Sequence, residues 1–459
     1  MSEVIIETER EVPVVVEADV VVAGAGPGGL PAAVSAARNG AKVLLIERYG
    51  FMGGLATAGL VAPILGHTAS KSHRPIVEGL LREITERMHA LGGAPSWVQA
   101  CQELGIRFDA EALKVVADQM VGEAGIDLLL HTLVVDAVVR DNRIEALIIE
   151  SKSGRQAVKG DVFIDATGDA DVAFRAGVPV TQGRPSDGLV ESMGSFMHIG
   201  GVQDVTEEQI RLAQQMVEER MMQGELRFYS PYFSGRNTAH RDFFSPNMTR
   251  WPGDPTDVRA LTEAELGVRE QVWKLITFLR SNAPGFEGAY LRQTSTQVGP
   301  RESRQIVGDY ALTGDDVAEG RKFDDGIARG SWWIDIHCPR GETYPVQFCF
   351  VECPRQEACP FWAAEHDRSM RSKAELYPPD DDWYEIPYRA LTARGVSNLL
   401  AAGRCISATH QGMAGARVMG TCVAIGEAAG LAAAWAVRDG LAVQAVDGTA
   451  LKRALLGEG

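Results

Sequence analysis

An α/β fold built around a glycine-rich turn is predicted for this 459-residue chain by three stretches of its sequence. Near the start, an apolar run at 19–23 leads into GAGPGG, and a second apolar run after an alanine-rich segment ends on Glu47. In the middle, Val162, Phe163 and Ile164 lead into DATGDAD, and near the end NLLAA at 398–402 runs into Gly403-Arg404 and a helical stretch rich in glycine and alanine. Strand, glycine turn and helix in succession are the pattern of a parallel sheet covered by helices.

The first stretch is the most specific. Gly24, Gly26 and Gly29 satisfy G-x-G-x-x-G, and Glu47 lies 47 − 24 = 23 positions beyond the first glycine, close to the usual ~20 for an acid that binds a ribose. Gly24 permits the tight turn, Gly26 lets the backbone approach a pyrophosphate, and Gly29 allows close helix packing. The helix start offers unpaired N–H groups to the anion. A dinucleotide is the expected ligand.

The elements follow in order. Pro31 fits the first turn of the helix after GAGPGG, Ala32, Ala33, Ala36 and Ala37 let it lie close on a sheet, and Gly40 closes it. Residues 74–91 carry Val77, Leu80, Leu81, Ile84, Met88 and Leu91 at helical spacing, stopped by Gly92-Gly93; this helix reads as an insertion (67–104) beside the nucleotide domain. Asp109 is placed to cap a helix with Leu113, Val116, Met120 and Val121 on its inner face. Strands are expected at 127–130, 133–139 and 144–150, with Asp141-Asn142 as the turn between the last two. From about 180 to 385 helices such as 206–224, with Thr206 and Gln209 spaced as a capping box, alternate with aromatic and proline-rich loops. Tyr229, Tyr232, Phe243, Phe244 and Trp251 read as core rather than ligand contacts, and 343–382 reads as an insertion. The resulting division is a discontinuous nucleotide domain (1–66, 105–180, 388–459), the helical insertion, and a substrate or cap domain (181–387).

Composition narrows the partners. Hydrophobic residues make up 45% of the chain, ordinary for a globular protein, and 61 carboxylates against 45 lysines and arginines oppose nucleic-acid backbones and anionic lipid. No basic segment followed by an apolar one opens the sequence, and the longest apolar helix candidate, 423–437, is interrupted by Glu427, so a cytoplasmic protein without a membrane partner is expected. Of seven cysteines, Cys338, Cys349, Cys353 and Cys359 fall in one segment flanked by His337 and His366. Their gaps lack the paired C-x-x-C of common zinc sites, so buried free thiols are expected, with zinc or a redox disulfide as alternatives and no metal assigned.

The C-terminal return repeats the logic of the opening. A nicotinamide-binding unit is complete without a segment more than 350 residues away, whereas the longer FAD has a flavin end to place. GAGPGG, Glu47-Arg48, Gly53-Gly54, DATGDAD, RESRQIVGDYALTGDDV, YEIPYRAL and NLLAAGRCISATH together resemble the FAD-dependent oxidoreductase family. The resemblance implies a Rossmann-like FAD-binding domain of the glutathione-reductase type with an inserted α+β substrate domain. By it Gly24, Gly26, Pro27 and Gly28 line the pyrophosphate, and Glu47 and Arg48 hold the adenosine. Val134 or Val135 meets the adenine, Gly54 and Ala56 pass the ribityl chain, and Gly168 backs the nucleotide. Gly403, Gly420, Thr421 and Cys422 fall at the flavin end. Many relatives have Gly-Asp where this chain has Gly403-Arg404, and Arg404 is either a phosphate partner or a surface residue.

The implied chemistry is oxidation of a small polar molecule, a hydroxy acid, sugar-like alcohol or amine, with hydride passing to flavin N5 and on to a separate electron acceptor. A helix beginning near Gly420 would aim its N–H groups at the charge left on the ring. Proton acceptors are sought among His410, His337 and Tyr388, and Arg301 with Arg304, in an expected helix start, either clamps a carboxylate substrate or forms a structural ion pair. GFMGGLATAG lacks the cysteine pair of a disulfide reductase, and Trp332-Trp333 does not form the W-x-W-x-I-P of flavin halogenases. A dehydrogenase or oxidase is therefore expected, with a flavin monooxygenase or a non-catalytic dinucleotide-binding protein as alternatives.

Overall fold

A computed structural model describes residues 4–5, 9–233, 239–240, 242–346, 349, 359 and 373–457. Its largest sheet has seven strands. Asp127–Leu129, Val43–Ile46, Val14–Ala23 and Gly154–Asp165 run parallel in that spatial order. The first half of Gly154–Asp165 pairs antiparallel with Arg143–Ser151, which pairs with Leu133–Arg140 across the Asp141-Asn142 turn. Both turn residues have positive φ, 47° and 58°, as a two-residue hairpin requires. The second half of Gly154–Asp165 pairs with the C-terminal strand Leu399–Ala401.

The register brings Ala23, Ile46, Asp165 and Ala401 to one edge, since Ala23 pairs with both Ile46 and Asp165, and Asp165 pairs with Ala401. Two helices cover one region of this sheet at close range. Gly29–Arg38 meets Met419–Asp439 so tightly that a Cβ on Gly426 would stand 2.0 Å from Gly28 O, and one on Gly430 2.1 Å from Ala32 O. Met419–Asp439 is long and apolar enough by composition to cross a membrane, yet its most apolar window is 78% buried inside the molecule. It is a core helix of the nucleotide domain.

Four sequence expectations change. The helix expected over 74–91 spans Gly79–Ala90, because Pro75 is held in a bridge with Thr68. It does not stand beside the nucleotide domain: Leu80 N donates to Glu427 Oε2 at 3.0 Å, and its apolar face joins the first core. Arg304 lies in a strand, Arg304–Ile306, paired with Val180–Gln182, not in a helix start. The cap is smaller than 181–387. Its separate core runs from Met193 to Val298, whereas Ile306, Leu312, Ile327, Tyr384 and Ile386 pack into the first core. The capping box of Thr206 and Gln209 is present at the head of Glu207–Met222. A 25-residue helix, Val258–Asn282, capped by Asp257, was not anticipated.

Candidate functional site

A cleft opens at the carboxyl ends of the parallel strands, the position where such sheets bind ligands. Gly24 (φ +94°) makes the turn, and a Cβ there would stand 2.4 Å from Ala166 O. Glu47 is buried and fastens the turn, its Oε2 accepting from Ala25 N and its Oε1 from Tyr49 N, both at 2.9 Å. Each oxygen keeps a lone pair for a ribose hydroxyl. Gly24, Gly26, Pro27, Gly28, Glu47, Arg48, Gly54, Val134, Gly168, Gly403, Arg404 and Cys422 all line this cleft.

Four expected contacts do not line it. Ala56 faces a separate small cavity under Pro27 and Leu30, and Val135 packs on the opposite face of its strand against Ala146, Ile148 and Ala157, as alternation along a strand dictates. Gly420 and Thr421 are buried behind the lining, and a Cβ on Gly420 would meet Leu65 O at 2.5 Å. The helix itself begins at Met419, which does line the cleft, and no side chain caps its first turn. Its N–H groups are thus available to a developing negative charge.

Sequence reasoning missed several lining residues, among them Gln297, Arg417 and Met419, and also Cys405, which lies behind the lining. Gln297 reaches in from the cap, accepting from Arg48 Nη2 at 2.5 Å and from the Tyr49 hydroxyl. Cys405 Sγ accepts from Gly168 N at 3.2 Å and Ala170 N at 3.4 Å, and fixes the loop that backs the cleft. Arg404 pairs with Asp169 at 3.2 Å while its Nη1 is buried without a partner. A cleft of glycine backbone with an orphaned guanidinium nitrogen matches what a pyrophosphate would supply.

A second cavity of about 230 Å³ adjoins the cleft and shares Leu55, Arg404, Arg417 and Met419 with it. Arg301, Asp335 and His337 line its polar end. Asp335 and His337, two positions apart, both line the cavity, and that i, i+2 spacing is the signal that could have revealed Asp335. Asp335 Oδ1 is buried without a hydrogen-bond partner, 3.5 Å from His337 Nε2. His337 packs edge-on against Tyr229 at 4.6 Å and accepts from Arg250 Nη2 at 3.2 Å. Arg417 bonds Glu191 at 3.0 and 3.2 Å and donates to Asp335 O at 2.8 Å. Burial, with Arg417 nearby, pulls the Arg301 guanidinium down to about 10, and burial with Arg301 beside it pulls Arg250 well below its ordinary value.

The other proton-transfer candidates lie outside this cavity. His410 opens a helix capped by Thr409, which turns its ring inward to Glu302; Nδ1 stands 2.9 and 2.7 Å from the two carboxylate oxygens. The Tyr388 hydroxyl donates to Val443 O at 2.6 Å within the first core. Arg304 pairs with Asp171 at 2.5 Å and lies over the Phe174 ring, so the expected Arg301–Arg304 clamp is not assembled. Cys338 and Cys349 are buried free thiols, Cys359 is free and partly exposed, and Cys353 and His366 lie outside the described residues. Among the described residues no group of three or more metal-ligating side chains converges.

A family model described as FAD dependent oxidoreductase matches residues 19–455. The thiamine thiazole synthase of Methanococcus vannielii is 31% identical over 169 residues, 34% of this chain and 59% of that protein. The chain thus spans about three fifths of that relative's length. A soluble pyridine nucleotide transhydrogenase of Chromohalobacter salexigens is 35% identical over 103 residues, 22% of this chain and 20% of that one. Among solved structures, a flavin-dependent brominase aligns over 96% of this chain and 83% of its own at 14% identity, with a TM-score of 0.44.

Proposed function

Because the chain belongs to the FAD dependent oxidoreductase family, whose members are enzymes with FAD as cofactor, we propose that it is a dehydrogenase or oxidase that takes a hydride from a small polar substrate. The observation that carries the reading is the contact of two spaces: a glycine-lined cleft, and a cavity holding Arg301, Asp335 and His337, joined at Leu55, Arg404, Arg417 and Met419. The nucleotide domain is read as the glutathione-reductase type, supported by the antiparallel strand pair leading into Gly154–Asp165 and by the returning C-terminal strand.

FAD supplies a two-electron acceptor that takes hydride at N5. In this reading Gly24, Gly26, Pro27 and Gly28 receive the pyrophosphate, Glu47 and Arg48 the adenosine, and Arg404 Nη1 an anionic oxygen. Met419–Asp439 presents its N-terminus to the flavin end. Asp335 and His337 share the proton that leaves the substrate hydroxyl or amine, each stabilising it on the other. Arg417, tied to Glu191, fixes Asp335 from behind. Gln297, crossing to Arg48 and Tyr49, holds the cap against the adenosine end.

The test is the absorption spectrum of the purified protein followed by anaerobic mixing with panels of hydroxy acids, alcohols and amines. Bleaching of the flavin band supports the reading. No reduction by any panel member, with NADPH-dependent oxygen insertion, overturns it in favour of a monooxygenase.

A further inference from the structure

We infer that the cavity beside the cleft takes a monocarboxylate with an apolar tail, and that Arg301 receives the carboxylate; the inference rests on reading this cavity as the substrate site. The argument begins with charge. Around the polar end, three guanidiniums, Arg250, Arg301 and Arg417, face two carboxylates, Glu191 and Asp335. Arg417 engages both, at 3.0 Å and 3.6 Å. Neighbouring acids are already matched, Glu302 by His410 and Asp169 by Arg404.

Arg250 and Arg301 are left with neutral partners. Arg301 donates to Ser192 O at 2.8 Å and Asn247 Oδ1 at 3.4 Å. Arg250 donates to Thr249 O at 2.6 Å, Asn247 Oδ1 at 2.9 Å and His337 Nε2 at 3.2 Å, and its Nε is buried without a partner. Among the described residues neither has a carboxylate within 4.0 Å. A buried cation that lacks a counter-charge is unfavourable, and an incoming anion removes the penalty. Arg301 lines the cavity and Arg250 does not, so Arg301 is the group that can touch the anion while Arg250 adds its field from behind.

The rest of the wall selects the remainder of the molecule. Leu55, Val61, Leu65, Phe196 and Trp332 supply the apolar part of the wall, Trp332 with its indole N–H donated to Asp335 Oδ2 at 3.2 Å. A dicarboxylate would set its second charge against this wall, and a sugar would leave hydroxyls unpaired there. An apolar tail fits it. Asp335 and His337 line the same cavity as Arg301 and offer the proton acceptor that oxidation at a carbon beside the carboxylate requires.

Binding of phenylacetate and of its uncharged isostere phenylacetamide to the FAD-loaded protein tests this by titration calorimetry. Phenylacetate is expected to bind about tenfold or more tightly than the amide, as a charge-assisted contact should. Arg301→Gln should abolish the preference while amide binding persists, and Arg301→Lys should restore part of it. Equal binding of acid and amide by the unaltered protein overturns the inference without recourse to any variant. The two readings separate cleanly. If no alcohol or amine reduces the flavin but the phenylacetate preference holds and depends on Arg301, the oxidation reading fails and this one stands; if neutral alcohols reduce the flavin and phenylacetate neither binds nor competes, this one fails alone.

Discussion

Gly28 and Gly403, 375 positions apart in the sequence, pack backbone to backbone: a Cβ on Gly28 would stand 2.9 Å from Gly403 N and 3.1 Å from its Cα. The glycine turn of the first strand and the turn after the last strand are therefore one construction. Gly28 cannot accept a side chain without parting the two ends of the nucleotide domain, whereas Gly403 has room for a Cβ, 3.7 Å from Gly28 Cα, and is held to glycine by its left-handed backbone, φ +67°.

Gly28→Ala is accordingly expected to lower stability by about 1–3 kcal/mol through overpacking and to reduce the FAD retained on purification. Melting temperature and the flavin-to-protein absorbance ratio report both effects. Gly122→Ala is the contrast. Gly122 lies within the helix Ala110–Glu123 with nothing within 4 Å of its would-be Cβ, so alanine should stabilise by about 0.5–1 kcal/mol and leave flavin content alone.

Arg404→Met should weaken FAD retention by about tenfold or more, because it removes both the orphaned Nη1 and the pairing with Asp169. Equilibrium dialysis against free FAD measures the change. Retention equal to the unaltered protein would return Arg404 to a purely structural role.

Asp335→Asn and His337→Gln should each slow anaerobic flavin reduction by about 10²–10⁴ while leaving bound FAD in place. If the two act as one proton-accepting unit, the double variant should be little slower than the slower single variant. Full additivity of the two losses in stopped-flow traces would show that they act separately.

His410 gives a pH signature. Burial alone would lower its pKa, but the carboxylates of Glu302 and Glu191 outweigh burial and hold it above the ordinary value. A raised folded-state pKa contributes stability that is fully present below the unfolded value of about 6.5 and is lost as pH rises through the folded value. The melting-temperature margin of the unaltered protein over His410→Gln should therefore be widest near pH 5.5 to 6 and shrink above about 6.5. A margin that grew with pH would contradict the assignment.

The nucleotide cleft was largely legible in the sequence because its residues are consecutive or tied to local turns: GAGPGG, Glu47-Arg48, DATGDAD and Gly403-Arg404 each act within a few positions of themselves. The cavity was not. Arg301, the Asp335–His337 pair and Arg417 come from three separate stretches of chain, and what unites them is a tertiary approach that periodicity does not record. His410 shows the converse. Its residue type makes it a proton-acceptor candidate, but the Thr409 cap starts a helix that carries the ring to Glu302. The misread helix start at Arg301–Arg304 failed for a similar reason, since its strand partner, Val180–Gln182, lies over 100 residues away.

The two cores make different demands on the growing chain. The buried residues of the cap core lie between Met193 and Val298, with only Tyr344 added at its edge among the described residues, whereas the nucleotide core needs Leu399–Ala401 and Met419–Asp439 to close. At the usual ~5–20 residues per second, the ribosome needs roughly seven to thirty seconds to pass from Val298 to Asp439. The domain begun first is thus completed last, and during that interval the apolar faces of Val14–Ala23 and Gly29–Arg38 await their permanent cover.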